Sequence, residues 1–454
     1  MAETIAAVST PPGEGGIGII RISGEDAFCI ADKIFKAANG RKIAHVDGYT
    51  ALYGAAYDDT GKVDEVVALK FVSPKSYTGE DVVEFSCHGG AYVVKRLLRA
   101  VISAGAVPAG PGEFTKRAFL NGKMDLSRAE SVADIISASG EEALRFALRG
   151  RDGAISKAVS EIRDMLLQSA ARIAVFSDYP DEEPDFSGIN FLQTELQSAK
   201  AGLERLLRDY DAGKVYKSGL DTVIIGKPNV GKSTLMNLLS GQPRSIVTEI
   251  AGTTRDIVEE TVMLGDIRLC LADTAGLHDT EDIVESIGVE RSKKRLETAD
   301  LILAVFDASE MLTAADEEVL RLCKGKKCII LLNKIDIGNS QNKARLAQAG
   351  FPVIEVSAEQ STGMDILQQT VADLFALNRL DANSVVLAGE RQYHCVARAD
   401  AALKAGMEAL AQGLTMDAVG VCLDDALAAL MELTGERVTN AVADEVFRHF
   451  CVGK

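Results

Sequence analysis

The 454-residue sequence holds no apolar run near the ~18 residues that a membrane-crossing helix needs, which excludes a helical span. The opening Met1-Ala-Glu-Thr-Ile-Ala6 lacks the basic stretch of a secretory leader. Eight cysteines (Cys29, Cys87, Cys270, Cys323, Cys328, Cys395, Cys422, Cys451) form no C-x-x-C pair and no zinc spacing. They read as reduced core residues of a cytoplasmic protein, with Cys451 set apart. Net positive charge is missing too: 49 Lys and Arg stand against 66 Asp and Glu, a balance of −17. That excludes wholesale electrostatic binding of nucleic acid, so any RNA contact must use a local basic surface or a partner's. Lys95, Arg96 and Arg99, and Lys116, Arg117, Lys123 and Arg128, are the available clusters, although such clusters are more often solvated faces. Internal repeats and low-complexity segments are absent.

What is present suits about three globular domains, each able to bury a core. Residues 1–118 mix short strands (Ile17–Ile22, Val66–Val72, Asp81–Phe85) with Gly and Pro turns and one helix over Tyr92–Ser103. Residues 119–213 read as helices, from stripes that step by three or four. The stripes are Leu126, Ala129, Ala133, Ile136; then Ile155, Val159, Ile162, Leu166, Ile173; then Leu192, Leu196, Ala199, Leu203, Leu206. Tyr179-Pro-Asp-Glu-Glu-Pro-Asp185 interrupts them as a loop. Strand and helix patterns alternate over 214–377, as in a parallel α/β sheet. Helical periodicity returns in 378–454, with Val396, Leu403, Met407, Leu410 and Leu414, then Leu423, Leu427 and Leu430. These last helices have no apolar partner nearby in sequence. The economical topology inserts the α/β domain between two halves of one helical bundle.

The α/β segment carries the chemistry. Gly226-Lys-Pro-Asn-Val-Gly-Lys-Ser233 fits the phosphate-loop pattern G-x-x-x-x-G-K-[ST], after an apolar strand and before a helical run. Glycines there let backbone N–H groups face phosphate oxygens at a helix N-terminus. Lys232 would reach the β- and γ-phosphates, and the Ser233 hydroxyl would hold Mg²⁺. Asp273-Thr-Ala-Gly276 ends the apolar run Ile267, Leu269, Leu271. Asn333-Lys-Ile-Asp336 follows Cys328–Leu332, and Asp336 can accept two hydrogen bonds that guanine supplies and adenine does not. Ser357-Ala358 falls where guanine-binding proteins place their last loop. Four motifs in register make a Ras-like GTPase domain.

One expected part is missing. Ras-like proteins orient the attacking water with a glutamine just beyond the D-x-x-G motif, whereas this chain has Leu277 and His278 there. Asn229 and the segment Thr248–Asp256 offer oxygen ligands for a cation that offsets developing charge. Arg255 is the competing source of charge, and Thr254 is the natural second Mg²⁺ ligand. Glu285 reads equally as a water-orienting acid or as an exposed helix-start glutamate.

With these motifs in view, the chain resembles the MnmE (TrmE) family of bacterial tRNA-modification GTPases along essentially its whole length. The resemblance rests on Thr10–Gly24, Tyr77–Asp81, His88-Gly-Gly90, Pro111–Lys123, the GTPase motifs, Leu433-Thr-Gly-Glu436 and the terminal Phe450-Cys-Val-Gly-Lys454. Val452 departs mildly from the usual isoleucine or leucine, and Arg448-His449 is bulky. The resemblance implies a K⁺-activated GTPase, with K⁺ held by Asn229, Thr248, Ile250 and Thr253, Mg²⁺ by Ser233 and Thr254, and water oriented by Glu285. Nucleotide contacts are implied for Asn229, Val230, Gly231, Lys232, Ser233 and Thr234, then for Thr248, Glu249, Ile250, Ala251, Gly252, Thr253 and Thr254. Asp273, Thr274, Ala275, Gly276, Asn333, Lys334, Asp336, Ser357 and Ala358 complete the set. The N-terminal α+β domain (1–118) is implied to bind 5-formyl- or methylene-tetrahydrofolate through Arg21, Glu84, Lys123 and Lys454 and to form a homodimer. Cys451 matches the family's functional cysteine; a buried cysteine is the plainer reading. The implied partners are the flavoprotein MnmG, in a heterotetramer, and tRNA, whose wobble uridine receives an aminomethyl or carboxymethylaminomethyl group at C5. No membrane is implied. A ribosome-assembly GTPase switch and a stand-alone folate-dependent transferase are the alternatives.

Overall fold

The computed structural model describes residues 3–178, 186–241, 260–271, 295–338, 342–381, 383–387, 389–448 and 450–454. They divide into two compact units, Met1–Ala133 with Arg151–Lys200 and Arg398–Lys454, and Asp134–Gly150 with Ala201–Ala397.

The first unit opens with β1 (Ile5–Val8), β2 (Ile17–Ser23), β3 (Phe35–Ala37), β4 (Ala51–Asp58), β5 (Gly61–Phe71), β6 (Val82–His88) and β7 (Val107–Pro108). These form one sheet in the order β3-β4-β5-β6-β2-β1-β7, antiparallel except where β1 meets β7. Alternation along β2 decides its faces. Ile20 and Ile22 are buried in one core with Val83, Phe85, Leu97 and Val101, beneath the helices Ala27–Ile34 and Ala91–Ser103. Arg21 points to the opposite face and pairs with Glu84 across β6.

The helical stripes then behave as their spacing predicts. Ile155, Val159, Ile162, Leu166 and Ile173 are all buried along the helix Ala154–Asp178, which lies against Met416–Thr434. Leu423, Leu427 and Leu430 are buried on the latter. Helices from either side of the α/β segment therefore share one core. Two stripe residues are exposed instead. Ile136 is exposed at the end of the helix Leu126–Ser137, and Leu414 is exposed in the turn after Glu390–Ala411. Both sit at element ends, where a helical face runs out of partners.

The second unit is built on β8 (Leu220–Ile225), β9 (Glu260–Leu264), β10 (Ile267–Leu271), β11 (Leu301–Asp307), β12 (Cys328–Asn333) and β13 (Val353–Glu355). Their order is β13-β12-β11-β8-β10-β9, parallel apart from the β9–β10 hairpin. After β8 the chain builds one side of the sheet and then crosses to the other. The carboxyl end of β8 is thus the topological switch point where such sheets bind ligands. All seven residues of β11 and all six of β12 are buried, as a strand covered on both faces requires.

All eight cysteines are free thiols. Cys87, Cys323, Cys328 and Cys395 are buried as expected, but Cys29 is exposed on the outer side of Ala27–Ile34, and Cys451 is exposed as well.

Candidate functional site

The phosphate loop leaves β8 at Gly226 and enters the helix Lys232–Ser240, whose N-cap is Gly231 at φ 96°. Only glycine suits that position. A Cβ there would stand 2.3 Å from Asn333 Nδ2, and the φ lies in the left-handed region. The Lys232 ammonium donates to the carbonyls of Gly226 (2.9 Å) and Lys227 (2.8 Å), arching over its own loop. Burial pushes its pKa down from the ordinary lysine value. Ser233 and Thr234 are exposed in the first helical turn, and Asn229 is exposed at the loop's apex with φ 66°.

The guanine-reading loops lock onto that turn. Asn333, buried at the end of β12, donates from Nδ2 to the Val230 carbonyl (2.8 Å) and accepts from the Ala358 N–H (3.0 Å). One side chain therefore ties the phosphate loop to the Ser357-Ala358 loop. Lys334 donates to the Asn229 carbonyl at 2.7 Å. Ser357, fully buried, donates to Asp336 Oδ1 at 2.6 Å and aims that exposed carboxylate. The structure thus brings together Asn229, Val230, Gly231, Lys232, Asn333, Lys334, Asp336, Ser357 and Ala358. Thr248, Glu249, Ile250, Ala251, Gly252, Thr253, Thr254, Arg255, Asp273, Thr274, Ala275, Gly276, Leu277, His278 and Glu285 lie outside the described residues.

A second constellation sits in the first unit. The Arg21 Nε donates to Glu84 Oε1 at 2.8 Å, and its guanidinium lies over the rings of Tyr77 (5.4 Å) and Phe114 (5.5 Å). Arg21 Nη1 also reaches the Gly453 carbonyl at 3.4 Å. The C-terminal tail is docked there. The N–H groups of Gly112 and Phe114 donate to the carbonyls of Cys451 and Lys454 (both 3.2 Å), Pro111 bridges Val452, and Ser9 Oγ donates to the Gly453 carbonyl (3.1 Å). Gly453 has φ 96°, and a Cβ on it would stand 2.1 Å from the Val8 carbonyl oxygen. Phe450 packs on Phe447, which packs on Phe119. Cys451 itself is exposed, so the plainer reading of it as a buried cysteine fails. Arg21, Glu84 and the end of the tail are brought together, while Lys123 is engaged separately, donating to the Pro74 carbonyl at 2.9 Å. Beside the tail, a cavity of about 700 Å³ is lined by Val8, Pro12, Ile17, Val94, Leu98 and Val452 among others.

Most residues of the basic clusters are engaged within the fold, while Lys95 and Arg99 are exposed. Arg96 pairs with Asp58, Arg117 with Glu80 and Glu113, and Lys116 with Asp444, while Arg128 donates to the Arg151 carbonyl. Sequence reasoning missed Ser9, Tyr77 and Phe114 at the tail, and Asp307 beneath Lys334. Asp307 had a signal: like Asn333, it is the polar residue that ends an apolar strand.

Comparison with known proteins joins the two constellations in one lineage. The family model described as "MnmE helical domain" matches residues 126–451, and the one described as "GTP-binding protein TrmE N-terminus" matches residues 4–123. The tRNA modification GTPase MnmE of Levilactobacillus brevis is 43% identical over all of this chain and 98% of its own length. Those of Clostridioides difficile and Geobacillus kaustophilus are each 41% identical, over all of this chain and 99% of theirs. The chain belongs to the MnmE family. As a family member with guanine-nucleotide motifs in register, it is a GTP hydrolase. A solved structure of Era with MgGDPNP and a 16S ribosomal RNA fragment is 34% identical over 34% of this chain and 56% of its own, at a TM-score of 0.28. The family assignment rests on the full-length relatives. No described helix is long and apolar enough to cross a membrane.

Proposed function

We propose that this MnmE-family chain is a K⁺-activated GTPase that acts in the cytoplasm on tRNA as a homodimer. With the flavoprotein MnmG, it places aminomethyl or carboxymethylaminomethyl groups at C5 of the wobble uridine, using a tetrahydrofolate one-carbon unit. The observation that carries this reading is the full-length similarity, 43% in the Levilactobacillus brevis case, to proteins named tRNA modification GTPase. The domains follow the same reading: 1–118 for folate and dimerisation, 119–213 and 378–454 for the helical domain, and 214–377 for GTP.

The residues present fit the groups implied. The exposed Ser233 hydroxyl opens a helix, and its oxygen suits Mg²⁺. Thr254 is its expected companion. Asn229 presents an amide oxygen at the loop's apex, as a K⁺ ligand must, with Thr248, Ile250 and Thr253 completing the set. K⁺, when bound, supplies a positive charge where leaving-group oxygens gain negative charge. Lys232 and the helix N-terminus hold the phosphates, Asp336 reads the guanine edge, and Glu285 orients the water.

In the N-terminal domain, Glu84, with Arg21 paired to it, suits the donor edge of a pterin, and the Lys123 and Lys454 cations suit glutamyl carboxylates. The apolar cavity beside Val452 suits the flat aromatic part of a tetrahydrofolate derivative (5-formyl- or methylene-). The exposed Cys451 is held at the edge of the same region by its own carbonyl, which accepts from the Gly112 N–H.

GTP turnover in K⁺ against Na⁺, for the wild type and Asn229→Ser, tests the cation. Strong K⁺ dependence that the substitution weakens is the expected outcome. Equal rates in the two salts would remove the K⁺ step and leave the GTPase intact.

A further inference from the structure

We infer that Asp307 is a positioning residue for nucleotide binding, acting through Lys334 to hold the phosphate loop and the guanine loop in one rigid frame. The inference rests on the GTPase assignment and adds a residue outside the four motifs.

Asp307 is the last residue of β11, the strand beside β8, and its side chain is almost fully buried. Its carboxylate has two distinct ends. Oδ2 receives the Lys334 ammonium at 2.6 Å. Oδ1 receives the Ser309 N–H (2.8 Å) and the Ser309 hydroxyl (2.5 Å). Burial opposes ionisation of Asp307, yet the Lys334 and Ser309 donors outweigh it and hold the group below the usual carboxylate range.

Lys334 gives a second N–H to the phosphate loop, through the Asn229 carbonyl at 2.7 Å. It does so from a left-handed backbone, φ 64°, a conformation that a side chain makes costly. Ala308 N–H donates to the Asn333 carbonyl at 2.8 Å, so the turn after Asp307 also braces the backbone just before Lys334. A lysine has four rotatable bonds and surrenders much rotamer freedom when fixed. The buried carboxylate fixes it before nucleotide arrives. Ordering of Lys334 is then subtracted from the cost of binding, which is the physical content of preorganisation. Since Asp307 is buried behind Lys334, its influence on nucleotide passes through that ammonium.

A double-substitution cycle on the full chain tests this, with dissociation of a fluorescent GDP analogue as the readout. Asp307→Asn keeps the shape and removes the charge. Losing a charge-assisted buried bond of this type should speed GDP release about tenfold. Lys334→Met should speed it at least as much, and the double variant should release GDP no faster than Lys334→Met alone. Strictly multiplicative effects would overturn the inference, because Asp307 would then act independently of the lysine. A purely structural role would lower thermal stability without producing that non-additivity. Should Asp307→Asn not fold, Ser309→Ala removes one of the carboxylate's three anchors and should speed release about threefold, again only when Lys334 is present. No change in release for Ser309→Ala would also overturn the inference. Failure of the wild type to bind GDP would sink the GTPase assignment itself, whereas tight wild-type binding with unaffected variants sinks only the role of Asp307.

Discussion

Replacing Gly453 by alanine puts the docked tail to its hardest test. The residue sits at φ 96°, and a left-handed alanine costs roughly 1–2 kcal/mol. The added methyl would lie 2.1 Å from the Val8 carbonyl oxygen. No side-chain rotation relieves that contact, because a Cβ has none. Val8 is held in β1 by its register with Ile20 of β2, so the tail is the part that must yield. Its departure removes the bonds from Ser9 and Arg21 to the Gly453 carbonyl, and those from Gly112 and Phe114 to Cys451 and Lys454. At about 1 kcal/mol for each neutral bond and somewhat more for the guanidinium, those bonds hold the docked tail by about 3–5 kcal/mol, which the strain must exceed. A methyl 2.1 Å from a fixed carbonyl oxygen, added to the left-handed backbone, does so and shifts the five-residue segment to the undocked state.

Hydrogen exchange read on peptides covering Gly112–Phe114 should show lost protection at both amides. GTP hydrolysis should persist at the wild-type rate, because the nucleotide loops belong to the other compact unit. On the proposed function, in which Cys451 takes part in the reaction, modification of tRNA by the complete system should fall by about 10²-fold, the usual cost of misplacing a reacting group by an ångström. Wild-type protection at Gly112 and Phe114 in Gly453→Ala would refute the docking argument. A parallel loss of GTP hydrolysis would show that the substitution disturbs more than the tail.

Two other outcomes follow from the geometry. Asp336→Asn should cut the preference for guanine over other purine nucleotides by about tenfold or more, since each hydrogen bond to a charged acceptor contributes roughly 1.5–3 kcal/mol; competition binding with GDP, IDP and ADP reads this, and unchanged discrimination contradicts the role of the carboxylate. For the thiols, alkylation of the native protein at about pH 8 should reach the exposed Cys29 and Cys451 well before Cys87. The Cys87 thiol is pushed up to about 11, first by burial and then by the nearby Asp64 charge, so its reactive thiolate should grow only as pH rises toward that value. Mass spectrometry of partly labelled protein decides it, and equal labelling of Cys87 and Cys451 at about pH 8 would contradict this assignment.

Particular elements show how far the sequence could be read. Stripes with regular spacing, such as Ile155 to Ile173, foretold both a helix and its buried face, because period and burial have one cause. The same reasoning overran at Ile136 and Leu414, since periodicity carries no mark of where a neighbouring element stops. Cys29 was misjudged for a related reason: a cysteine in an apolar helix has an inner or an outer side, and its flanking residues alone did not settle which. In the site, Asn333, Asp336 and Lys232 were legible because each belongs to a short contiguous pattern. Asp307 was not, because its importance comes from Lys334, which reaches back to it from the end of the next strand.

The residues expected to touch nucleotide were determined by the chain alone, because phosphate and guanine recognition draw on short runs of consecutive residues, whereas the Asp307 brace behind Lys334 was not. Only the tertiary structure decided where the final residues go. Ser9 and Gly453 meet across 444 positions of sequence, and such a contact depends on the packing of every element between them. No local pattern encodes it, because the Val8 carbonyl that bars a side chain at Gly453 reaches that place only once the sheet has formed.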